Sequence, residues 1–243
     1  MELNGKVAIV TGGSVRLGKA IALCLAEEGV KIGLHYNQSA EQTERTLEEI
    51  TSLGSTGILI QADFRQPIQA AEKIVEKTLS EFNRLDILVN SAAIFEESSV
   101  SSVTGDHWDR HFDVNLKAPF FLCQKFALQL ESGARAQIVN IADWRGTRPG
   151  SDHLVYTLSK SALVAMTKSL ALHLAPDVQV NAIAPGAVLP PPGSDRIDLQ
   201  QIAETIPLMR TGTAKDVTSA LLYLLRSDFI TGEVLHVTGG QQL

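Results

Sequence analysis

Short apolar runs alternate along this chain with longer segments of helical period, and this alternation restricts the possible folds more than any other feature. An apolar run at 7–10 is followed by a helical segment at 20–28 and a second apolar run at 30–36. This order predicts a βαβ unit with parallel strands. Further strands are predicted at 57–61, 86–90, 137–142, 178–183 and 233–237. We therefore predict an α/β protein with one parallel seven-stranded sheet.

The composition is that of an ordinary globular protein. Of the 243 residues, 44% are apolar, which is enough to bury a core within a single domain spanning 1–243. The formal net charge of −6 argues against a nucleic-acid partner. No membrane-length apolar run or signal-peptide pattern is present, and the two cysteines, Cys24 and Cys123, are too few for a disulfide framework. We expect a cytoplasmic protein without a membrane partner.

A glycine-rich turn lies between the first predicted strand and the first helix. Gly12, Gly13 and Gly18 allow the backbone to turn tightly and to aim the amides of the helix N-terminus at a pyrophosphate. The alternative is a plain connection between a strand and a helix. The strand-turn-helix context favours the dinucleotide site.

The end of the second strand indicates which dinucleotide is bound. Sites selective for NAD usually place an acidic residue there, but 34–39 contains none. Arg16 in the glycine turn and the polar donors Asn37, Gln38 and Ser39 suit a 2′-phosphate, so we predict NADP(H). The alternative for Arg16 is a solvated surface side chain.

The second helix has a start and a stop signal in the sequence. Ser39 is expected to cap the free amides while Gln42 reaches back, and Gly54 is expected to end the helix.

Motifs spread over the whole chain resemble the short-chain dehydrogenase/reductase family. They are Thr11-Gly12 through Gly18, Asn90-Ser91-Ala92-Ala93, Asn115, Tyr156-Thr157-Leu158-Ser159-Lys160 and Pro185-Gly186. The resemblance implies a Rossmann fold, doubly wound, with helices on both faces of the sheet. With the turn and the strand ends, it implies a cofactor site formed by Gly12, Arg16, Leu17, Tyr36, Asn37, Gln38, Ser39, Asp63, Asn90, Ser91, Ala92, Tyr156, Lys160, Pro185 and Gly186.

The spacing of Tyr156 and Lys160 has a physical reason. Residues four apart share a helix face, so an ammonium lies beside the phenol and is expected to favour its ionised form. The resemblance implies Tyr156 as proton donor, Lys160 as its tuner and a clamp on the nicotinamide ribose, Asn115 as the anchor of a water relay, and Asp63 as an adenine contact. Without the resemblance, Asn115 and Asp63 would more often be structural polar residues.

One departure from the family pattern is informative. Most members place a serine thirteen residues before the tyrosine, and this chain has Asp143. Together with Arg16, the stretch at 35–40 and Phe95, this substitution resembles the pteridine reductase branch. That resemblance implies that Phe95 stacks on a pterin and that Ser91 touches cofactor or substrate. The alternatives are that Phe95 is a core residue and that Asp143 caps a loop.

The resulting hypothesis is NADPH-dependent reduction of a C=N bond in a dihydropterin or a dihydrofolate. Its catalytic residues are Asp143, Tyr156, Lys160 and Asn115, and its substrate contacts are Phe95, Asp143 and Tyr156. Asp143 must be protonated to donate, so turnover is expected to decline as the pH rises through its raised pKa. Two alternatives remain: a carbonyl reductase of the 3-oxoacyl type, which needs no Asp143, and a non-catalytic NADP-binding sensor or scaffold.

Three further expectations concern partners and ligands. The resemblance implies a homotetramer through a long helix at 112–130 and the tail at 237–240, although periodicity alone would make these ordinary core faces. Trp144, Arg145 and the loop at 188–198 are expected to shape the substrate pocket. No metal is expected, because the sequence shows no ligand spacing around His107, His111 or His153.

Overall fold

A computed structural model of the chain describes residues 1–131, 133–189 and 199–243. Its strands form one sheet in the order β3-β2-β1-β4-β5-β6-β7, and every neighbouring pair is parallel. This order confirms the predicted Rossmann fold. The strands are β1 (Val7–Val10), β2 (Lys31–Tyr36), β3 (Gly57–Gln61), β4 (Ile87–Asn90), β5 (Ala136–Ile141), β6 (Val178–Pro185) and β7 (Val234–Val237).

Helices cover both faces of the sheet. Helices α1, α2 and α8 contribute to the core on one face, and α3, α5 and α6 contribute to the core on the other. No helix of the described ranges is both long and apolar enough to cross a membrane. The helices are α1 (Arg16–Glu27), α2 (Ala40–Ser52), α3 (Pro67–Phe82), α4 (Gly105–Phe112), α5 (Ala118–Leu128), α6 (Leu154–Leu174), α7 (Leu199–Glu204) and α8 (Ala214–Arg226).

The central strand β1 supplies both cores because its side chains alternate between the two faces. Ala8 and Val10 pack on one face, while Val7 and Ile9 pack on the other, and all four are fully buried. Burial of each Val or Ile side chain contributes about 1.5–3 kcal/mol. The continuous apolar run of β1 therefore follows from a parallel strand covered on both sides.

Of the two predicted ends of α2, the C-terminal end is correct and the N-terminal cap is not. Gly54 follows the helix with φ +83°, so the predicted stop is confirmed. The predicted cap is wrong, because the Ser39 side chain makes no capping hydrogen bond. Instead, the carbonyl oxygen of Ser39 accepts hydrogen bonds from the backbone N–H and the hydroxyl of Thr43.

The long helix predicted at 112–130 begins earlier and is not uniform. Thr104 caps α4 by accepting a hydrogen bond from the His107 N–H at 3.2 Å, so helical structure starts at Gly105. A π-helical turn, Asp113–Lys117, joins α4 to α5. The second residue of α5 is Pro119, which has no N–H to donate to the preceding turn.

The sheet order determines where the site forms. Connections from β1 run to one side of the sheet towards β2 and β3, and those after β4 run to the other side. A crevice opens at such a reversal, outside the carboxyl ends of the strands. The glycine turn follows β1 and Ser91 follows β4, so both lie at this crevice.

Candidate active site

A cavity of about 1080 Å³ lies at the carboxyl ends of the strands. It brings together most of the predicted site residues, which come from loops far apart in the sequence. Those that line it are Gly12, Arg16, Leu17, Asn37, Gln38, Asp63, Ser91, Ala92, Phe95, Asp143, Tyr156 and Gly186. The predicted residues outside its lining are Tyr36, Ser39, Asn90, Asn115, Lys160 and Pro185.

The glycine turn is packed so closely that side chains are excluded. Gly12 has φ +63°, and a Cβ atom there would lie 2.9 Å from the Cα of Ala92. At Gly18, a Cβ atom would lie 2.1 Å from the carbonyl oxygen of Gly12. No side chain caps the N-terminus of α1, so its first amides are available to an anion. This turn fits a pyrophosphate group.

His35, which the sequence analysis did not single out, supports the glycine turn from β2. Its Nδ1 accepts a hydrogen bond from the Gly12 N–H at 3.2 Å, and its Nε2 lies 3.1 Å from the Ala62 carbonyl oxygen. The ring also stacks on Phe64, with 4.3 Å between centroids. Burial lowers the pKa of His35 to about 4, so the ring is neutral at pH 7 and Nε2 carries the hydrogen. Such a role depends on tertiary neighbours and has no sequence signal.

Cationic and amide side chains line the cavity beyond β2. Arg16 begins α1 with φ +55°, a conformation that costs a non-glycine residue free energy and that clusters at functional sites. Asn37 and Gln38 are exposed and line the same cavity. Arg65, which the sequence analysis missed, also lines the cavity. The backbone N–H of Arg65 donates a hydrogen bond to Asp63 Oδ1 at 2.9 Å. Within the described lining, these donors suit a phosphate ester.

Asp143 and Tyr156 form a buried hydrogen-bonded pair. Tyr156 Oη donates to Asp143 Oδ2 at 2.9 Å, and the Arg145 N–H donates to Asp143 Oδ1 at 2.8 Å. Burial raises the pKa of Asp143 above its ordinary value. Burial, with the neighbouring Asp143 charge, raises the pKa of Tyr156 well above its ordinary value. The pair therefore retains protons that exposed groups would lose.

Lys160 lies near the Tyr156 ring, but burial and Asp143 dominate the pKa of the phenol. Its Nζ donates to the Ile141 carbonyl oxygen at 2.7 Å and lies 5.7 Å from the centroid of the Tyr156 ring. Burial lowers the pKa of Lys160 to about 8, and the charge of Asp143 opposes this shift. The expectation that the ammonium lowers the pKa of Tyr156 is wrong for this arrangement, because burial and Asp143 shift that pKa upward.

Asn115 holds two parts of the site together from the π-helical turn. Its Oδ1 accepts a hydrogen bond from the Ile94 N–H at 2.9 Å, and its Nδ2 lies 3.1 Å from both the Ile94 carbonyl oxygen and Ser159 Oγ. It thereby joins the segment after β4 to α6. A π turn inside an α-helix is frequently found at functional sites.

The Asn90 side chain is buried and makes a hydrogen bond inside the protein. Its Nδ2 donates to Asn140 Oδ1 at 2.8 Å, and its side chain is buried beside Cys123. The hydroxyl of Thr11 accepts the N–H groups of Ser91 and Ala92 at 2.9 and 3.0 Å, which ties β4 to the glycine turn.

An aromatic cluster lies beside the Asp143–Tyr156 pair. Phe95 stacks on His153 with 3.9 Å between centroids and forms a T-shaped pair with Tyr156 with 4.7 Å between centroids. The Arg145 guanidinium lies 4.9 Å from the centroid of the Trp144 ring. The sequence analysis did not assign His153 to this cluster. Flat, apolar walls beside a proton-bearing pair suit a planar heterocycle.

The residues expected to shape the substrate pocket are only partly described. Trp144, Arg145, Val188 and Leu189 line the cavity. The rest of that predicted loop, 190–198, lies outside the described residues.

Comparison with known proteins identifies the family. A family model described as enoyl-(acyl carrier protein) reductase matches residues 15–242. The 3-oxoacyl-[acyl-carrier-protein] reductase FabG of Staphylococcus aureus is 32% identical over 247 residues, covering 98% of each chain. A short-chain dehydrogenase from Burkholderia cenocepacia, solved with NADP, superposes with a TM-score of 0.93 at 33% identity, covering 100% of both chains. The chain belongs to the short-chain dehydrogenase/reductase family.

A second structural relative within this family has a different activity in its name. FolM alternative dihydrofolate reductase 1 from Brucella canis, solved with NADP, superposes with a TM-score of 0.93 at 32% identity. The match covers 99% of this chain and 95% of that one. FabG and FolM are thus about equally similar to this short-chain reductase, and overall identity does not choose between their substrates.

Proposed function

We propose that this short-chain reductase uses NADPH to reduce a C=N bond of a dihydropterin or a dihydrofolate. The observation that carries the proposal is the buried Asp143–Tyr156 hydrogen bond of 2.9 Å. Most family members have a serine at the position of Asp143, and a serine cannot supply an acidic proton. Reduction of a C=N bond needs a hydride at carbon and a proton at nitrogen, so an added acid has a purpose in this reaction.

The residues present fit NADP(H). The closely packed turn at Gly12 and the uncapped start of α1 suit its pyrophosphate. Arg16, Asn37 and Gln38 line the cavity beyond β2, where they suit a 2′-phosphate. The relatives FolM from Brucella canis and the short-chain dehydrogenase from Burkholderia cenocepacia were solved with NADP. When bound, NADPH supplies the hydride.

Asp143 and Tyr156 deliver the proton. With Asp143 protonated, its carboxyl donates to Tyr156 Oη, and the phenol hydrogen is directed at the substrate nitrogen. As nitrogen takes that proton, the phenol oxygen recovers one from Asp143, so one proton leaves the pair in each turnover. The carboxylate that remains accepts hydrogen bonds from Tyr156 and the Arg145 N–H until solvent returns the proton.

Other residues position the reacting groups. Phe95 lines the cavity beside Tyr156 and offers aromatic surface to a flat bicyclic substrate. Asn115 holds Ile94, the neighbour of Phe95, and contacts Ser159 on the helix that carries Tyr156. Lys160 places a buried positive charge behind the phenol through its hydrogen bond to Ile141. Such positioning lowers the entropic part of the barrier.

Reduction of a 3-oxoacyl thioester is the second candidate. The similarity to the 3-oxoacyl-[acyl-carrier-protein] reductase FabG of Staphylococcus aureus favours it. Carbonyl reduction needs Tyr156, Lys160 and Asn115, and this chain has all three. A non-catalytic NADP-binding sensor or scaffold would have no need to keep both Tyr156 and Lys160, so these residues argue against it.

The substitution Asp143→Ser separates the two reductases. The protein with this change should lose about 10²–10⁴-fold in kcat/KM for 7,8-dihydrobiopterin, the range for one general acid. Its kcat/KM for a 3-oxoacyl thioester should rise, because the serine hydroxyl can donate to a carbonyl. Asp109→Ser, at an exposed position outside the cavity lining, is the matched control.

NADPH affinity, measured by fluorescence titration, should be the same in all three proteins. Unchanged dihydropterin turnover in Asp143→Ser would contradict the proposal. Binding of NADPH without turnover of either substrate would instead favour the sensor.

A further inference from the structure

Two histidines and a glutamate meet behind the segment that carries Phe95. His107 and His111 are four residues apart on α4, and their ring centroids are 4.5 Å apart. Glu96, eleven residues before His107, approaches from the irregular segment after β4. One ligand atom from each of the three residues lies within 4.8 Å of the others. The sequence analysis assigned no metal here because only the fold brings Glu96 to the histidines.

The two imidazoles present buried nitrogens without hydrogen-bond partners among the described residues. His111 is fully buried, and the His107 side chain is 13% exposed. The Nε2 atoms of both rings make no hydrogen bond, although His107 Nε2 lies 3.5 Å from Glu96 Oε2. A buried polar atom without a partner costs about 1–3 kcal/mol, and an ion bound by both nitrogens would remove this cost.

The other nitrogen of His111 fixes its tautomer. Nδ1 lies 2.9 Å from the His107 carbonyl oxygen, which can only accept, so Nδ1 carries the hydrogen. Nε2 is then left with a lone pair directed into the cluster. Burial lowers the pKa of His111, which keeps the ring neutral. A backbone carbonyl on one ring nitrogen, with the other nitrogen free, is the usual arrangement of a metal-bound histidine.

Glu96 is already paired with Arg110 and still has oxygen lone pairs for a metal ion. Arg110 donates to both oxygens of Glu96, at 2.9 and 3.0 Å, and also to Asp106 Oδ2 at 3.0 Å. Asp106 also pairs with Arg65 at 3.4 Å, so these two carboxylates and two guanidiniums balance in charge. Each carboxylate oxygen accepts more than one bond, so Glu96 can hold Arg110 and ligate an ion at once.

We propose that Glu96, His107 and His111 bind one divalent transition-metal ion, with Zn²⁺ as the expected ion. A ligand set of two imidazoles and one carboxylate suits Zn²⁺ better than it suits Mg²⁺ or Ca²⁺. The ion would join the segment after β4, which contains Glu96, to α4, which contains both histidines. Glu96 is adjacent to Phe95, so the metal would stabilise the aromatic wall of the cavity without touching the reacting atoms. This proposal does not depend on the substrate of the enzyme.

Metal titration of the full-length protein tests the site. After removal of metals by a chelator and dialysis, the wild-type chain should bind one Zn²⁺ per chain, and one Co²⁺ with the intense visible absorption of a four-coordinate site. His107→Gln and Glu96→Gln should each weaken Zn²⁺ affinity about tenfold or more, equivalent to about 1.4 kcal/mol. The control is His173→Gln, because His173 is an exposed histidine on α6, outside the cluster.

Thermal unfolding provides a readout independent of activity. Saturating Zn²⁺ should raise the Tm of the wild-type and His173→Gln proteins, and the same Zn²⁺ concentration should raise those of His107→Gln and Glu96→Gln by less. Circular dichroism establishes that each variant is folded before metal is added. Equal Zn²⁺ affinity in the wild type and His107→Gln, or no stoichiometric binding by the wild type, would overturn the proposal.

Discussion

At the scale of single residues, the protonation of Asp143 governs the proposed chemistry. Burial raises its pKa, so the carboxyl stays protonated at pH values where an exposed aspartate is ionised. Tyr156, Arg145 and Lys160 favour the ionised form and limit this shift. The proton-donating form is therefore present at low pH and is lost as the pH rises.

The pH dependence of turnover follows from the direction in which the pKa of Asp143 is shifted. The kcat of the wild type with dihydropterin should fall as the pH rises through the raised pKa of Asp143. The protein with Asp143→Asn should be slower throughout and should lack this decline, because its amide does not titrate. Steady-state rates from acidic to alkaline pH measure both. A wild-type profile that stays flat to alkaline pH would contradict the role of Asp143.

His35 makes the stability of the nucleotide end depend on pH. Its pKa is lowered from 6.5 to about 4 in the folded protein, so the unfolded chain binds the proton more tightly. The free energy of unfolding should therefore decrease as the pH falls from about 6.5 to about 4, by up to about 3 kcal/mol from this residue. Urea unfolding of the wild type and of His35→Gln measures the difference.

The variant His35→Gln should show a shallower decrease over this range, because its side chain does not titrate. His173→Gln should keep the wild-type slope, since it removes an exposed histidine. Identical slopes in the wild type and His35→Gln would show that the Gly12 contact does not depend on the neutral imidazole.

At the scale of elements, the turn between β1 and α1 needs glycine for two separable reasons. Gly12 and Gly54 both have positive φ, +63° and +83°. A Cβ atom at Gly12 would meet the backbone of Ala92 at 2.9 Å, whereas at Gly54 nothing lies within 4 Å. Backbone strain is thus common to both positions, and close packing occurs only at Gly12.

Alanine substitutions separate these two costs. Gly54→Ala should lower the free energy of unfolding by about 1–2 kcal/mol through strain alone and should leave NADPH binding unchanged. Gly12→Ala should destabilise the protein more and should weaken NADPH binding about tenfold or more, equivalent to about 1.4 kcal/mol. Thermal unfolding and fluorescence titration check both. Equal losses in the two proteins would mean that the contact with Ala92 is unimportant.

The elements could be predicted from sequence where their signals are local. The apolar runs predicted all seven strands, and the glycine turn indicated the crevice between β1 and β4. The predicted cap at Ser39 was wrong, because capping depends on the local backbone conformation. The predicted start of the long helix was also wrong, because α4 is capped by Thr104 and its first turns lack the apolar pattern used to find helices. The roles of His35 and His153 could not be predicted, because their partners lie in other loops.

At the scale of the whole molecule, we propose a homotetramer. Large apolar side chains remain exposed on α4, α5 and α6, and such patches often mark protein interfaces. They include Trp108, Phe120, Leu128, Leu158 and Leu172. Covering these side chains would remove apolar surface from water on α6, which carries Tyr156, and on α4 and α5, which flank the π-helical turn of Asn115.

Light scattering measures the assembly. The wild type should have four times the 26.2 kDa mass of the chain. Phe120→Glu, which places a charge on α5, should give a smaller species. Leu53→Glu, at a similarly exposed position after α2, should remain a tetramer. A wild-type monomer would rule the proposal out.

The activity proposed for this short-chain reductase is reduction of a pterin-type C=N bond. The most direct test is the initial rate of NADPH oxidation by the purified wild type, with 7,8-dihydrobiopterin and a 3-oxoacyl thioester run separately under identical conditions. We predict rapid oxidation with the dihydropterin and little with the thioester. Rapid oxidation with the thioester alone would contradict the claim and would reduce Asp143 and Phe95 to local variation in a carbonyl reductase.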